Sequence, residues 1–172
     1  MFFDETHLPW IPPSPNIPNL ETAIVYPGMC LFEATNLSEG RGTQKPFLQI
    51  GAPWIKKDLI NRLKALNLEG VNINFTKFSP KTIPGKALSP KFENDICYGS
   101  IFKITEKHKF KALETALRKI SIINENYDDK FNFNSISLNN LYGNNSLTNY
   151  LNTSYQSNKI NKQDALLDLL HN

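Results

Sequence analysis

The chain has 172 residues and a mass of 19.6 kDa; 40% of it is hydrophobic, 20% is charged, and its formal net charge is +3. That length suits one domain, or one domain plus a tail, and Phe, Leu and Ile are too plentiful for a wholly disordered chain. The charge is far from a nucleic-acid footprint, and no apolar run approaches the ~18 residues that span a bilayer.

Residues 1–20 carry Pro9, Pro12, Pro13, Pro15 and Pro18. Proline fixes φ and biases its predecessor to extended geometry. The stretch is predicted to be an extended arm, with Phe2, Phe3, Leu8, Trp10 and Ile11 as apolar anchors that need cover from elsewhere. Its start, Met1-Phe2-Phe3-Asp4-Glu5, lacks the basic and apolar regions of a secretory signal. Residues 21–35 predict two short helices, with Thr22 as a cap and Pro27 in the first turn of the second. Residues 36–46 form a polar loop in which Gly40 and Gly42 bracket Arg41. Residues 47–55 begin as a strand and end in a Gly-Ala-Pro turn.

Leu59, Leu63 and Leu66 predict an amphipathic helix over 57–68, with Asp58 near its start and Gly70 past its end. Val71, Ile73 and Phe75 then alternate with Asn72 and Asn74, the pattern of a half-buried strand. Residues 79–95 are a Ser/Pro/Lys/Gly loop, and 97–105 a second strand. The strongest helix is predicted over 106–123, where Phe110, Leu113, Leu117 and Ile120 make a stripe backed by Ala116 and Ile123. The fold class is therefore α+β or mixed α/β, a small sheet covered by helices with an extended Pro-rich N-terminal arm. Residues 124–161 are rich in Asn, Ser, Tyr and Asp and suit a loose wrap with short helices. A short amphipathic helix closes the chain over 162–170. Three parts result: an arm over 1–20, an α/β core over 21–123, and an Asn-rich wrap with a C-terminal helix over 124–172.

Cys30 and Cys97 sit in no metal-ligand spacing and read as reduced, partly buried thiols. His7, His108 and His171 are far apart, and His108 is expected on the exposed side of the 106–123 helix. There is no Gly-x-Ser-x-Gly, P-loop or dinucleotide fingerprint. No metal or cofactor is expected. Chemistry concentrates in the bend that holds Glu33, Asn36, Ser38, Glu39, Arg41, Thr43 and Gln44. Two carboxylates, a fork-shaped cation and several hydroxyls and amides suit a sugar. The glycines permit positive φ and close approach of backbone to a ligand. On residue types alone, a solvated Glu39–Arg41 pair on a glycine turn explains the bend better than a sugar site does.

The segments LPWIPPSPNIPNLETAIVYPG (8–28) and CLFEATNLSEGRGTQKPFLQIGAPWI (30–55) resemble the C-terminal part of the exo-β-N-acetylmuramidase family. The motifs PSPNIP, YPG, E-x-TN-x-SEGRGT, PF and IGAPW occur in order. The likeness weakens through the predicted helix and strands and reaches the L-x-G at Leu141 and Gly143. It implies a bacterial glycoside hydrolase that releases N-acetylmuramic acid from the non-reducing ends of peptidoglycan, with a Rossmann-like N-terminal domain and a cleft between its two domains. This sequence lacks that first domain, so the resemblance implies a fragment that contributes one wall of a muramyl-sugar cleft and is inactive alone. Glu33, Asn36, Glu39 and Arg41 are the implied substrate-binding residues; the catalytic residues stay unknown. The implied partners are a muramyl sugar or peptidoglycan fragment and a separate Rossmann-like chain. A non-catalytic sugar-binding remnant and an interaction domain that docks through the 1–20 arm are the alternatives. The chain as it stands suits the cytoplasm; an N-terminal half with its own signal would place it outside.

Overall fold

The computed structural model describes residues 1–153 and, beyond them, Leu166, Asp168 and Leu169. Three antiparallel strands form one sheet: β1 (Gln49–Ala52), β2 (Val71–Phe78) and β3 (Cys97–Ile104), in the order β1-β3-β2. Ile50 faces Ser100 across the first pair, and Ile73 faces Phe102 across the second. Through residue 153, five helices accompany the sheet: α1 (Leu20–Met29), α2 (Asp58–Ala65), α3 (Ala112–Asn126), α4 (Ser135–Tyr142) and α5 (Ser146–Thr153). The architecture is α+β, as the sequence pattern predicts. No helix among the described residues is long and apolar enough to cross a membrane.

The first residues are tied to the domain. A 3-10 turn over Phe3–Glu5 brings Asp4 and Glu5 within 2.6 and 3.0 Å of the Lys107 Nζ. Phe2 meets the His108 ring edge-on, and Phe3 meets Trp10. The prolines keep 8–18 free of helix and strand, but Leu8 and Ile11 stay 64% and 79% exposed rather than serving as anchors.

The region 21–35 departs from expectation in its punctuation. Asn19, not Thr22, caps α1: its Oδ1 accepts from the Thr22 backbone N–H at 2.9 Å. Thr22 lies fully buried inside the helix. Pro27 sits in the last turns of α1, and the second element is a 3-10 helix over Cys30–Ala34.

The largest difference is at α3, which starts at Ala112 rather than near 106. The Gly70 carbonyl accepts from the N–H groups of Thr105 and Glu106, and the Glu106 carbonyl accepts from those of Lys109 and Phe110, which closes 106–110 as a turn. His108 therefore stands exposed on that turn and belongs to no helix. The buried stripe of α3 runs through Ala116, Leu117, Ile120 and Ile123, whereas Leu113 is left partly exposed. Lys119, a position that pattern alone leaves in solvent, is 1% exposed. It lies over β1 and β3 and donates to the Ile50 carbonyl (3.1 Å) and to the Ser100 Oγ (2.5 Å). Desolvation pushes its amine well below the ordinary lysine value.

β2 shows the predicted alternation: Val71 and Ile73 are buried, Asn72 and Asn74 exposed. Phe75, third in that series, departs from it: it is 37% exposed and stacks on Tyr98. In the Asn-rich region, Phe131, Leu138, Leu147 and Leu151 join the core. The expected helix over 162–170 falls outside the described residues, apart from the three beyond 153. Leu166 and Leu169 are buried.

Candidate functional site

The bend between the Cys30–Ala34 turn and β1 is built by its own short polar side chains. Thr35 Oγ1 donates to the Phe32 carbonyl at 2.9 Å and accepts from the Leu37 N–H at 3.1 Å. Ser38 pairs with Gly51 as a one-residue bridge, which fastens the bend to the free edge of β1. The Phe47 N–H donates to the Glu39 carbonyl and closes the 39–47 loop. Thr43 Oγ1 donates to the Gly40 carbonyl and accepts from Gln49 Nε2 at 2.8 Å. Ser38 and Thr43 are thus spent on the loop's own shape, and Gln44 is exposed.

Gly40 and Gly42 both have φ of 77°, as the polar turn requires. The close approach they permit is to the protein itself. A Cβ on Gly42 would lie 2.4 Å from the Lys81 carbonyl oxygen and 2.8 Å from Pro90. The bend is therefore pressed against the 79–95 loop, and the Lys81 N–H donates to the Gly42 carbonyl at 2.9 Å.

Glu33, Glu39 and Arg41 come together. Arg41 Nη2 lies 3.4 Å from Glu33, and its Nε 3.9 Å from Glu39. Its guanidinium lies over the Phe47 ring at 5.7 Å. Both carboxylate contacts are longer than a normal N–H···O bond, and the buried Arg41 Nε has no hydrogen-bond partner. The Arg41 side chain is 40% exposed, Glu33 25% and Glu39 6%. Desolvation holds the Glu33 carboxyl above its ordinary range; Arg41 opposes this, Glu39 adds to it, and Lys91 also opposes it.

Asn36 faces another way. Its Nδ2 donates to the Lys130 carbonyl at 2.7 Å, and its Oδ1 accepts from the Asn132 N–H at 2.9 Å. It ties the bend to the segment before α4. Between them lies a shallow concavity of about 270 Å³, whose lining includes Glu33, Asn36, Asn132, Phe133 and Ser137. Glu33 therefore belongs both to this concavity and to the Arg41 pair.

Lys91 was not legible as a site residue. Its Nζ donates to Glu39 Oε2 at 3.0 Å and to the carbonyls of Phe32, Glu33 and Leu37 at 2.9–3.1 Å. It lies 52 positions from Glu39, in a loop whose composition marks it only as a connection. Cys30 and Cys97 are free and buried. Burial raises both thiols, Cys97 to about 12. Among the described residues, no group of three or more His, Cys, Asp and Glu side chains is placed to hold a metal.

The domain is α+β, and at the edge of its sheet a buried and a half-open carboxylate flank an under-bonded guanidinium. The family description "Exo-beta-N-acetylmuramidase NamZ, C-terminal" matches residues 24–165, and the chain belongs to that family. The chain is 42% identical over 134 residues to peptidoglycan β-N-acetylmuramidase NamZ of Bacillus subtilis, a match that covers 77% of this chain and 31% of that one. A crystal structure of a DUF1343 family protein from Bacteroides fragilis shares the fold, with a TM-score of 0.81 at 21% identity over 98% of this chain and 43% of that one. A second such structure from the same organism matches at a TM-score of 0.53 and 28% identity, over 94% and 40%. The chain thus spans less than half the length of each of these proteins.

Proposed function

We propose that this domain forms one wall of a binding site for a muramyl sugar at the end of a peptidoglycan fragment. In this reading Arg41 receives the lactyl carboxylate that distinguishes muramic acid from glucosamine. The observation that carries it is the bonding state of Arg41. A guanidinium has five N–H donors in a fixed fork, yet both of its carboxylate contacts are long and its Nε is unmatched. The Nε itself is buried, but the side chain is 40% exposed, and a carboxylate reaching the open side of the guanidinium would meet the paired geometry that makes Arg–carboxylate contacts strong.

Glu33 sets the terms of entry. It borders the concavity and partly occupies Arg41. Its raised carboxyl takes up a proton before an ordinary glutamate does, and protonation frees Arg41 for the ligand. The lactyl carboxyl, like an ordinary α-carboxyl near about 3.5, stays ionised there. Muramyl affinity therefore rises as pH falls into the range in which Glu33 takes up its proton. Glu39 lies behind as a buried counter-charge, and Asn36 holds the floor of the concavity.

The isolated chain has little or no turnover. Glycoside hydrolysis by the usual route uses two opposed carboxyl groups about 5–10 Å apart. In this cluster Glu39 is buried and bonded to Lys91, so only Glu33 is open. The second carboxyl and the opposite wall belong to another domain, such as the remainder of the longer relatives, in the same or a separate chain.

The test is titration of the chain with N-acetylmuramic acid and with N-acetylglucosamine, in wild type and Arg41→Lys. Wild type prefers the muramyl sugar. Arg41→Lys loses about tenfold of that affinity and leaves glucosamine binding unchanged, because a lysine cannot present the paired fork. Equal losses for the two sugars would contradict the role given to Arg41.

A further inference from the structure

The loop at 79–95 carries three non-glycine residues in the left-handed region: Ser89 (φ 49°), Phe92 (φ 56°) and Asn94 (φ 65°). Asn tolerates this conformation, whereas Ser and Phe do so at a cost. Such residues persist only where the surroundings over-determine them. Here the loop is fixed by Lys81 N–H to the Gly42 carbonyl, by Asn94 N–H to the Pro80 carbonyl and by Thr82 N–H to Glu93. Phe92 packs against the core. Between Ser89 and Phe92 this backbone projects one side chain under the bend, Lys91.

Four oxygens surround the Lys91 Nζ at 2.9–3.1 Å: the carbonyls of Phe32, Glu33 and Leu37, and one oxygen of Glu39. Three backbone carbonyls directed at one point would repel each other and the Glu39 carboxylate without a cation between them. We infer that Lys91 is a positioning residue, a built-in cation that gathers the 32–39 backbone and Glu39 into one cage and thereby sets where Glu33 and Arg41 stand. It touches no sugar and acts through those two side chains. The inference rests on the sugar-facing reading of Glu33 and Arg41. The other charged or titratable groups that act on Glu33 are Arg41 and Glu39, and Tyr26 and Cys30 feel its charge in turn.

The cage makes a specific demand. A compact ammonium fits a point surrounded by four oxygens, whereas a planar guanidinium does not. A small cation supplied from solution should therefore replace the lysine end. The experiment uses Lys91→Ala and Lys91→Met in the full chain. The first readout is the Glu33 carboxyl carbon, followed by NMR through a pH titration without ligand. In Lys91→Met its midpoint moves to higher pH, because a cation that favours the carboxylate is gone. The second readout is the set of backbone amide shifts over 33–41. In Lys91→Ala they depart from wild type and return on addition of ammonium chloride, but not of tetramethylammonium chloride. The third is affinity for N-acetylmuramic acid, measured at a pH above the Glu33 midpoint of both proteins so that Glu33 is ionised in each, which falls about tenfold in Lys91→Met.

Unchanged Glu33 titration and unchanged 33–41 amides in Lys91→Met would overturn the inference, since Lys91 would then be a dispensable surface tie. Equal rescue by the two chlorides would also overturn it, since the cage would not be selecting a small cation. Should Lys91→Ala fail to fold, Lys91→Met carries the test, because its stem keeps the packing. If wild type binds no muramyl sugar but the first two readouts behave as expected, the sugar reading falls and the positioning role of Lys91 stands.

Discussion

Lys119 and Lys91 both turn their amines into the fold, Lys119 fully buried and Lys91 with its side chain 31% exposed, but into different company. Lys119 lies in the interface between α3 and the sheet, where its amine meets a neutral carbonyl, a neutral hydroxyl and the faces of Phe32 and Phe102. Lys91 lies under the bend, where its amine meets three carbonyls and a carboxylate. Phe32 links the two, offering its ring to one lysine and its carbonyl to the other. The difference separates a lysine used as packing from a lysine used as charge. Burial without a counter-charge favours the neutral amine, whereas a buried carboxylate beside an ammonium keeps a charge pattern at the site.

The largest expected effect is at Lys119. Lys119→Ala opens a cavity in the sheet–helix interface and costs about 3 kcal/mol in denaturant unfolding. Lys119→Met, which fills the space without a charge to desolvate, costs far less. The same contrast has a pH signature. The folded-state value of Lys119 is lowered, so the unfolded chain binds more protons below the ordinary lysine value of about 10.4. Wild-type stability therefore rises as pH climbs toward the ordinary lysine value, and Lys119→Met loses that component of the slope. A slope unchanged by the substitution would show that the buried amine is charged after all.

Next comes Gly42→Ala. The substitution forces a positive φ on an L-residue and sets a methyl against the Lys81 backbone, at a cost of about 2 kcal/mol or more. It also pushes the 79–95 loop away, so the amides over 33–41 shift in the same sense as in Lys91→Ala. Asn36→Ala removes two hydrogen bonds to the 130–132 segment and costs about 1 kcal/mol. It should leave muramyl selectivity intact while weakening both sugars. At the small end, the buried thiols of Cys30 and Cys97 stay unreactive toward a thiol reagent at about pH 8 in the native protein and react on unfolding.

The parts of the fold that announced themselves were those whose neighbours in space are neighbours in sequence. Leu59 and Leu63 mark α2, and the Val71–Asn74 alternation marks β2, because helix and strand periods are local. The start of α3 was hidden, since the Gly70 carbonyl that holds the N–H groups of 105 and 106 ahead of the turn lies some 35 positions upstream. The bend could be recognised as chemical from its residue types, and Glu33, Glu39 and Arg41 do meet. Its cation could not: Lys91 is one lysine among many in a loop, and only the three left-handed residues around it, invisible in the sequence, explain its aim. Lys119 hid for the opposite reason, because hydropathy assigns a charged residue to solvent.

The central claim is that Arg41 keeps donor capacity for a ligand carboxylate. The chain has only three arginines, Arg41, Arg62 and Arg118, so the Nε–H resonance of Arg41 can be assigned by substitution and followed by NMR. Addition of N-acetylmuramic acid should shift and sharpen that resonance, while N-acetylglucosamine leaves it in place. An Arg41 resonance indifferent to the muramyl sugar, or equally responsive to both sugars, would contradict the account.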